Sequence, residues 1–366
     1  MTALPAKTAF TDSTVTEGTF KSSLDDQRDF LAEQLGTVGG DVSGSILRQS
    51  RNLLLGADFS RAPWQRGETL TVTATNTYGP DRWCVEFDGT ATISMDKVAL
   101  ATPQKFMGRW CTHGVKVTVD AKSGLSYLRL IQRVEDVSSI VDQSSYLQTA
   151  IQGSGTFSVP VQLRQSFGTG GGASTAVVTA FDAALSVTAS MQVLNSGLTV
   201  PTIASKAIGA DGLHTSYAAV EYDLAAVPVA GYVIIPLVQY EAGSNGTLFD
   251  YRDNDQVLDD CQRYYEKSYD LGVAPGVVTT SGRFHTTASS SGGVRQSVEF
   301  KTRKRIAQHS PQVYSTVTGA SGKIDDTVSD YTATVTANGQ AGFYVSADIS
   351  ASSSARFQWV SDSEIY

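Results

Sequence analysis

The chain has 366 residues, of which 41% are hydrophobic and 17% charged, with a formal net charge of −8. Length and composition predict a soluble globular protein with two main domains, and the acidic balance argues against nucleic acid, whose phosphates attract a concentrated basic face. The most apolar run, 227–238, is too short to cross a bilayer, so no membrane insertion is expected. The N-terminus lacks a secretory signal pattern, which favours folding in a cytoplasm with the three cysteines reduced.

The first segment, 1–50, has an extended start, a helical pattern over 22–35 and a Gly-rich stretch that begins at Gly36. Four apolar side chains share or border one stripe of this helix: Leu24, Phe30, Leu31 and Leu35. A helix of this length is marginally stable alone, so its stripe is expected to dock on a neighbouring body or on copies of itself around a symmetry axis.

The second segment, 51–252, consists of strand patterns in which polar and apolar residues alternate between turn signals. Roughly nine strands of this kind are typical of two packed antiparallel sheets, so we predict a jelly-roll-like β-sandwich. The Gly-rich run 167–175 lacks the Gly-Lys-Ser/Thr ending of a phosphate-binding loop and is predicted to be a hairpin loop.

A second helical pattern covers 253–267 and marks a junction between β-rich regions. Its acidic residues are predicted to cap the helix rather than to bind metal, and Tyr264 and Tyr265 are predicted to seat one sandwich on the other. About six strand patterns over 268–366 predict a second, smaller β-sandwich. The predicted fold class is therefore mainly β, with a short N-terminal anchoring helix and one linking helix.

Motifs for chemistry are scarce, so no enzyme, cofactor or metal is expected. Glu86 and Asp88 form a carboxylate pair that could serve glycoside hydrolysis, although a solvated strand face produces the same pattern. The basic run 301–305 is interpreted as the polar edge of a strand.

Aromatic residues are the remaining binding candidates, because flat rings stack on sugar faces. Trp110 lies between two predicted strands, and Arg109 and His113 flank it with hydrogen-bond donors, so these three residues are the glycan-binding candidates. The alternative is that Trp110 plugs the end of the sandwich. The other three tryptophans are predicted to pack in cores: Trp64, Trp83 and Trp359.

Several stretches carry a resemblance to a known family: the opening 4–36, the run 52–83, the segments 238–252 and 261–269, and the final 357–366. Together they resemble bacteriophage tail-fibre or head-fibre receptor-binding proteins with a carbohydrate-binding-module-like β-sandwich domain. The pair VQYEAGSNGTLFDYR and CQRYYEKSY is the most specific part. The glycan-contacting residues of this family cannot be carried over, because no motif fixes them.

The resemblance implies a short homotrimeric virion appendage, on tail, collar or capsid surface, that is assembled in the host cytoplasm. Its N-terminus would attach to other virion proteins, and its sandwiches would bind host surface polysaccharide. The residues expected to anchor and trimerise it are Phe20, Leu24, Phe30, Leu31 and Leu35. Two alternatives remain: a purely structural collar, head-fibre or decoration protein without glycan binding, and a polysaccharide hydrolase with carboxylates gathered by the fold.

Overall fold

The structure, a computed structural model, describes residues 51–211, 215–289, 293–307, 309–337, 339–349 and 354–366. The predicted anchor segment 1–50 and its five apolar residues lie outside the described residues. Residues 52–366 form one compact unit. Whether 51–252 and 268–366 are separate domains, as the sequence predicts, stays a prediction.

The strands of the first half are, in chain order, β1 Thr69–Val72, β2 Thr77–Tyr78, β3 Trp83–Phe87, β4 Thr90–Phe106, β5 Arg109–Ser123, β6 Leu128–Glu135, β7 Ser144–Gly153, β8 Phe157–Val159, β9 Val161–Ser166, β10 Val177–Ala180, β11 Leu185–Val187, β12 Gln192–Thr199, β13 Tyr217–Asp223 and β14 Tyr232–Ala242. A short 3₁₀ helix covers Val137–Ser139. The helix α1 spans Asn254–Gln262. The second half contains β15 Tyr265–Lys267, β16 Phe284–Thr287, β17 Gly293–Glu299, β18 Ser310–Tyr314, β19 Lys323–Asp325, β20 Asp330–Thr332, β21 Thr334–Ala337, β22 Gly342–Asp348 and β23 Ser354–Asp362.

Two six-stranded antiparallel sheets form the first sandwich, with strand orders β1-β4-β5-β14-β7-β12 and β10-β9-β13-β6-β3-β2. Alternate residues of each strand point to the shared core. Met95 and Val117 from one sheet and Tyr222 from the other belong to the same buried cluster. The predicted hairpin loop 167–175 is confirmed, because it joins the antiparallel pair β9 and β10. The jelly-roll-like sandwich is therefore the observed fold of this half.

The second sandwich is smaller and is built around β23. This strand pairs with β15, β16, β18 and β19, while β22 pairs with β17 and β21 in a three-stranded sheet. Phe343 from β22 and Phe357 and Trp359 from β23 share one core. The prediction that Phe357 and Trp359 face the same core is confirmed.

The linking helix is confirmed in place but is shorter than predicted. It ends at Gln262, whereas the sequence pattern extended it to 267. Tyr265 already belongs to strand β15, which pairs with β23. Tertiary pairing with a long neighbouring strand thus overrides the helical periodicity. Asp253 is the N-cap residue but makes no side-chain capping hydrogen bond, so the predicted capping is wrong at this residue. Asp255 lies in the first turn, where its charge complements the helix dipole as predicted.

The contact between the two sandwiches is polar, aromatic and buried. Arg82 forms an ion pair with Glu364, and its guanidinium lies 3.4 Å from the ring centre of Tyr264. Arg66 lies 3.7 Å from the ring centre of Tyr265 and 3.3 Å from the same Glu364. The prediction that Tyr264 and Tyr265 seat one sandwich on the other is confirmed by these stacked cations.

In the basic run 301–305, Lys301 and Arg303 are exposed, as the predicted solvated strand edge requires. The prediction is wrong for the end of the run. Lys304 and Arg305 are buried. Lys304 Nζ lies 2.6 Å from Glu266 Oε2, and Arg305 Nε donates to the carbonyl of Ser363. Burial is possible here because each cation has partners, as a buried charge requires.

Candidate functional site

A long hairpin made by β4 and β5 carries the candidate site at its tip. Its two-residue turn, Met107 and Gly108, has φ values of 46° and 80°, as a type I′ turn requires. Behind the turn, Phe106 and Cys111 are buried with Leu237 in a small apolar cluster. These buried side chains hold the tip in place. Trp110 was predicted to lie between two strands, but it lies within strand β5.

Trp110 lies on the outward face of this tip and is 58% exposed. Directly opposite on β4 is Lys105, which is also exposed, and Thr112 is exposed two residues further along β5. Opposed and alternate residues share one face of a hairpin, so the ring has an ammonium and a hydroxyl as neighbours. The alternative that Trp110 plugs the sandwich is wrong, whereas the other three tryptophans are buried as predicted.

Arg109 lies on the face of the hairpin opposite Trp110, because the side chains of successive strand residues point to opposite faces. Its Nε lies 2.9 Å from Asp58 Oδ2, and its guanidinium lies 4.0 Å from the ring centre of Tyr251. Asp58 also pairs with Arg61 at 3.3 Å, and Arg61 donates to the carbonyl of Trp110 at 3.3 Å. Arg109 therefore braces the tip from behind instead of standing beside the Trp110 ring.

His113 also lies on the Arg109 side of the strand. Its Nδ1 is 3.0 Å from the hydroxyl of Thr112, and its backbone N–H donates to Ser60 Oγ. The structure thus brings Arg109 and His113 to one face and leaves Trp110 on the other.

The segment after β14 adds two exposed side chains that the sequence reasoning missed. Leu248 and Tyr251 are 69% and 52% exposed. Phe249 between them donates its backbone N–H to the carbonyl of Met107 at 2.8 Å, which ties this segment to the hairpin turn. Within the described part of the chain, Trp110 and Tyr251 lie at this tip and Tyr366 is the remaining exposed large aromatic residue. No local motif marks Tyr251, although it lies within the segment 238–252 that carries part of the family resemblance.

The carboxylate pair shows no acid and base geometry. Glu86 lies 3.7 Å from Arg133. Asp88 is half-buried, and hydrogen bonds from the backbone N–H groups of Tyr127 and Ser126 lower the pKa of its carboxyl. A general acid requires a raised pKa, so Asp88 in this state suits that role poorly.

Within the described ranges, no group of three or more His, Cys, Asp or Glu side chains is placed to hold a metal ion. No helix in that part of the chain is long and apolar enough to span a membrane.

No family model and no curated protein matches the chain. Among solved structures, the CBM22-1 xylan-binding domain of Xyn10C from Paenibacillus barcinonensis aligns with a TM-score of 0.31 and 10% identity, covering 54% of this chain and 97% of that domain. The N-terminal cellulose-binding domain of the Cellulomonas fimi β-1,4-glucanase C aligns at 0.29 and 13%, covering 50% and 98%.

The enzymatically active domain of tailspike protein 4 from bacteriophage CBA120 aligns at 0.30 and 15%, covering 44% of this chain and 19% of the tailspike. All three TM-scores lie below 0.5.

Proposed function

We propose that this protein is a non-enzymatic virion fibre that binds host cell-surface glycan through its β-sandwich. The exposed Trp110 is the observation that supports glycan binding most strongly. An indole that is held on a fixed hairpin and left in water gains free energy when the apolar face of a sugar ring covers it. Lys105 and Thr112 on the same face offer a donor and a hydroxyl for the sugar oxygens.

Replacing Trp110 with Ala is expected to weaken glycan binding about tenfold or more, which corresponds to about 1.4 kcal/mol. Because the side chain is exposed, the free energy of unfolding should change by no more than about 0.5 kcal/mol. An array of bacterial capsular and lipopolysaccharide glycans would first identify the strongest binder, and calorimetry would then give its dissociation constant for each variant.

The matched control is Val178→Ala, an exposed residue of β10 in the opposite sheet, which should bind as the unaltered protein does. Trp110→Phe should retain part of the affinity, since a smaller ring can still stack. Unchanged binding by Trp110→Ala would reject the hairpin tip as the glycan site.

A purely structural virion protein is the second candidate, and Leu248 is the observation that favours it. An exposed aliphatic side chain next to Gly108 of the hairpin turn also suits a protein–protein contact. In that case no host polysaccharide binds on the array, while Trp110→Ala and Leu248→Ser both lower incorporation into particles.

The virion location and the homotrimer rest on the sequence of the first segment and its family resemblance. We propose that copies of the 22–35 stripe bury one another around a threefold axis and dock on the particle, on tail, collar or capsid surface. Trimerisation would then multiply a weak affinity for each glycan site.

Deleting 1–36 is expected to give a monomer by light scattering and to abolish incorporation into assembled particles. The β-sandwich signal in circular dichroism should persist, because 52–366 form one compact unit without this segment. A truncated chain that still trimerises and still assembles would overturn the anchor proposal.

A further inference from the structure

The loop that follows β14 contains a pair of residues with its own chemistry. Asn245 and Gly246 lie in the exposed stretch 244–248, outside any helix or strand. The backbone nitrogen of the residue after an asparagine can attack the carbon of its side-chain amide, which closes a five-membered imide ring. Glycine favours this attack, because it has no Cβ to crowd its nitrogen. The pair is therefore a candidate for spontaneous deamidation, a covalent change that consumes only water.

The fold leaves both reacting groups available. The backbone N–H of Gly246 donates no hydrogen bond within the described part of the chain. Asn245 Nδ2 makes one long hydrogen bond of 3.4 Å, to the hydroxyl of Ser244. A strand would have held the same N–H in its ladder of hydrogen bonds. Neither group has to break a strong interaction before the nitrogen approaches the side chain.

The other asparagines stand in less reactive places. Asn52 is buried. Asn195 lies in β12, where pairing with Gln148 fixes its backbone. Asn338 also precedes a glycine, but it lies outside the described residues. Four described asparagines are followed by a residue with a side chain: Asn52, Asn76, Asn195 and Asn254. Among the described asparagines, Asn245 thus combines an exposed loop with a following glycine.

Packing explains why a glycine stands at position 246. A Cβ built on Gly246 would lie 2.3 Å from Cδ of Gln148, so a side chain there would push Gln148 aside. The reactive pair is therefore tied to the local packing of the loop. For the same reason a test of the pair should change Asn245, which is exposed, and not Gly246.

Deamidation would act on the contacts that tie this loop to the hairpin turn. The backbone N–H and the hydroxyl of Thr247 donate to the buried carboxylate of Glu241 at 2.9 and 2.8 Å. Phe249 donates its backbone N–H to the carbonyl of Met107 at 2.8 Å. Isoaspartate at position 245 adds one atom to the backbone just before these contacts. It also adds a negative charge near Glu241, which repels that carboxylate.

We propose that Asn245 is a self-modifying site whose product loosens the tie between this loop and the hairpin tip. The nitrogen of Gly246 forms a bond to Cγ of Asn245, and its proton leaves with the side-chain nitrogen as ammonia. Water then adds to either carbonyl carbon of the imide ring and opens it, which gives aspartate or isoaspartate. The hairpin tip thus changes with the age of the protein. This inference does not depend on glycan binding.

The test compares the full-length protein with a synthetic peptide of residues 241–250, which has no fold to protect it. Both are kept for days in mildly alkaline buffer, which favours loss of the amide proton. Peptide mapping by mass spectrometry is expected to show a gain of one mass unit at Asn245 in both, while Asn195 in the same digest stays unchanged. A protein that keeps Asn245 intact while the peptide converts would overturn the proposal.

Asn245→Gln is the matched control, because it keeps the amide but would have to close a larger and slower ring. Hydrogen exchange at the backbone N–H of Phe249 is expected to become about tenfold faster or more in the aged unaltered protein, and to stay constant in aged Asn245→Gln. Asn245→Asp adds the charge without lengthening the backbone, so its effect should be smaller. Equal exchange in the aged unaltered protein and aged Asn245→Gln would overturn the loosening of the hairpin tie.

Discussion

Replacing Arg82 with Met is expected to lower the free energy of unfolding by about 3 to 5 kcal/mol, because it removes a cation from a buried carboxylate. Arg82 and Glu364 are 2% and 3% exposed and form an ion pair. Arg82 also donates to the carbonyl of Arg133 at 2.6 Å and stacks on Tyr264. Arg66, at 3.3 Å, would remain to balance Glu364. Urea unfolding followed by fluorescence measures the loss.

The loss should depend on pH in a defined direction. Burial raises the pKa of the Glu364 carboxyl, although Arg82 and Arg66 pull it down. Without Arg82 the pKa of Glu364 rises further. A carboxyl whose pKa is higher in the folded protein than in the unfolded chain lowers the free energy of unfolding as the pH rises from the unfolded value to the folded one. The deficit of Arg82→Met should therefore be smaller at about pH 5 than at about pH 7.

Two further variants separate the ion pair from general damage to the junction. Arg82→Met combined with Glu364→Leu should recover part of the loss, since no uncompensated charge remains. Arg295→Met removes an exposed arginine that lies 3.5 Å from Asp348, and it should cost no more than about 1 kcal/mol. A loss of less than about 1 kcal/mol for Arg82→Met itself would show that this pair does not hold the sandwiches together.

The second large effect is expected at alkaline pH, where three buried thiols destabilise the fold. Burial raises the pKa of Cys84 and Cys111 to about 12 and holds that of Cys261 well above its usual value. In the unfolded chain thiols ionise near pH ~8.5, so unfolding then releases protons that the folded state keeps. Stability is fully present below that pH and falls as the pH rises towards 12, by up to about 1.4 kcal/mol per pH unit for each thiol.

Two other kinds of group modify this profile. Burial raises the pKa of Tyr222, so this phenol adds a loss of the same sign above about pH 10. Lys267 acts in the opposite direction, because burial lowers its pKa from 10.5 to about 8. Between these two pH values Lys267 has lost its proton in the folded protein but keeps it in the unfolded chain. Its contribution to the free energy of unfolding therefore rises with pH in this range.

Urea unfolding over a pH series would show the balance. We expect the free energy of unfolding at pH ~10.5 to be lower than at pH ~8 by on the order of 5 kcal/mol. Cys84→Ala together with Cys261→Ala should make the decline shallower, and Lys267→Met should make it steeper between about pH 8 and 10. A profile that stays flat up to about pH 11 would contradict the role of the thiols.

The sequence predicted those features that depend on local periodicity and turn chemistry. Alternation of polar and apolar residues gave two sandwiches, and the helix between them falls within the predicted range. The predicted buried positions of Trp64, Trp83 and the three cysteines are confirmed. These predictions agree with the structure because each depends on the residue types within one strand or one turn of helix.

Other features depend on contacts between residues that are far apart in the chain, and these were decided by the tertiary structure. Pairing with β23 made Tyr265 part of a strand, although its spacing fits a helix face. Glu266 allowed Lys304 to be buried, although a charge run is usually solvated. The 17-residue strand β4 carried the hairpin tip beyond the core, which left Trp110 in water.

The same distinction applies to the candidate site. Sequence alone selected Trp110 as a binding residue from its type and its polar neighbours, but it placed Arg109 and His113 beside the ring. Strand alternation puts those two residues on the other face, and Tyr251, far along the chain, reaches the tip through Arg109. Local sequence thus determined that this protein is built of β-sandwiches joined by a helix. Only the packing of distant segments decided which aromatic side chains face solvent, because exposure depends on residues that are not neighbours in the chain.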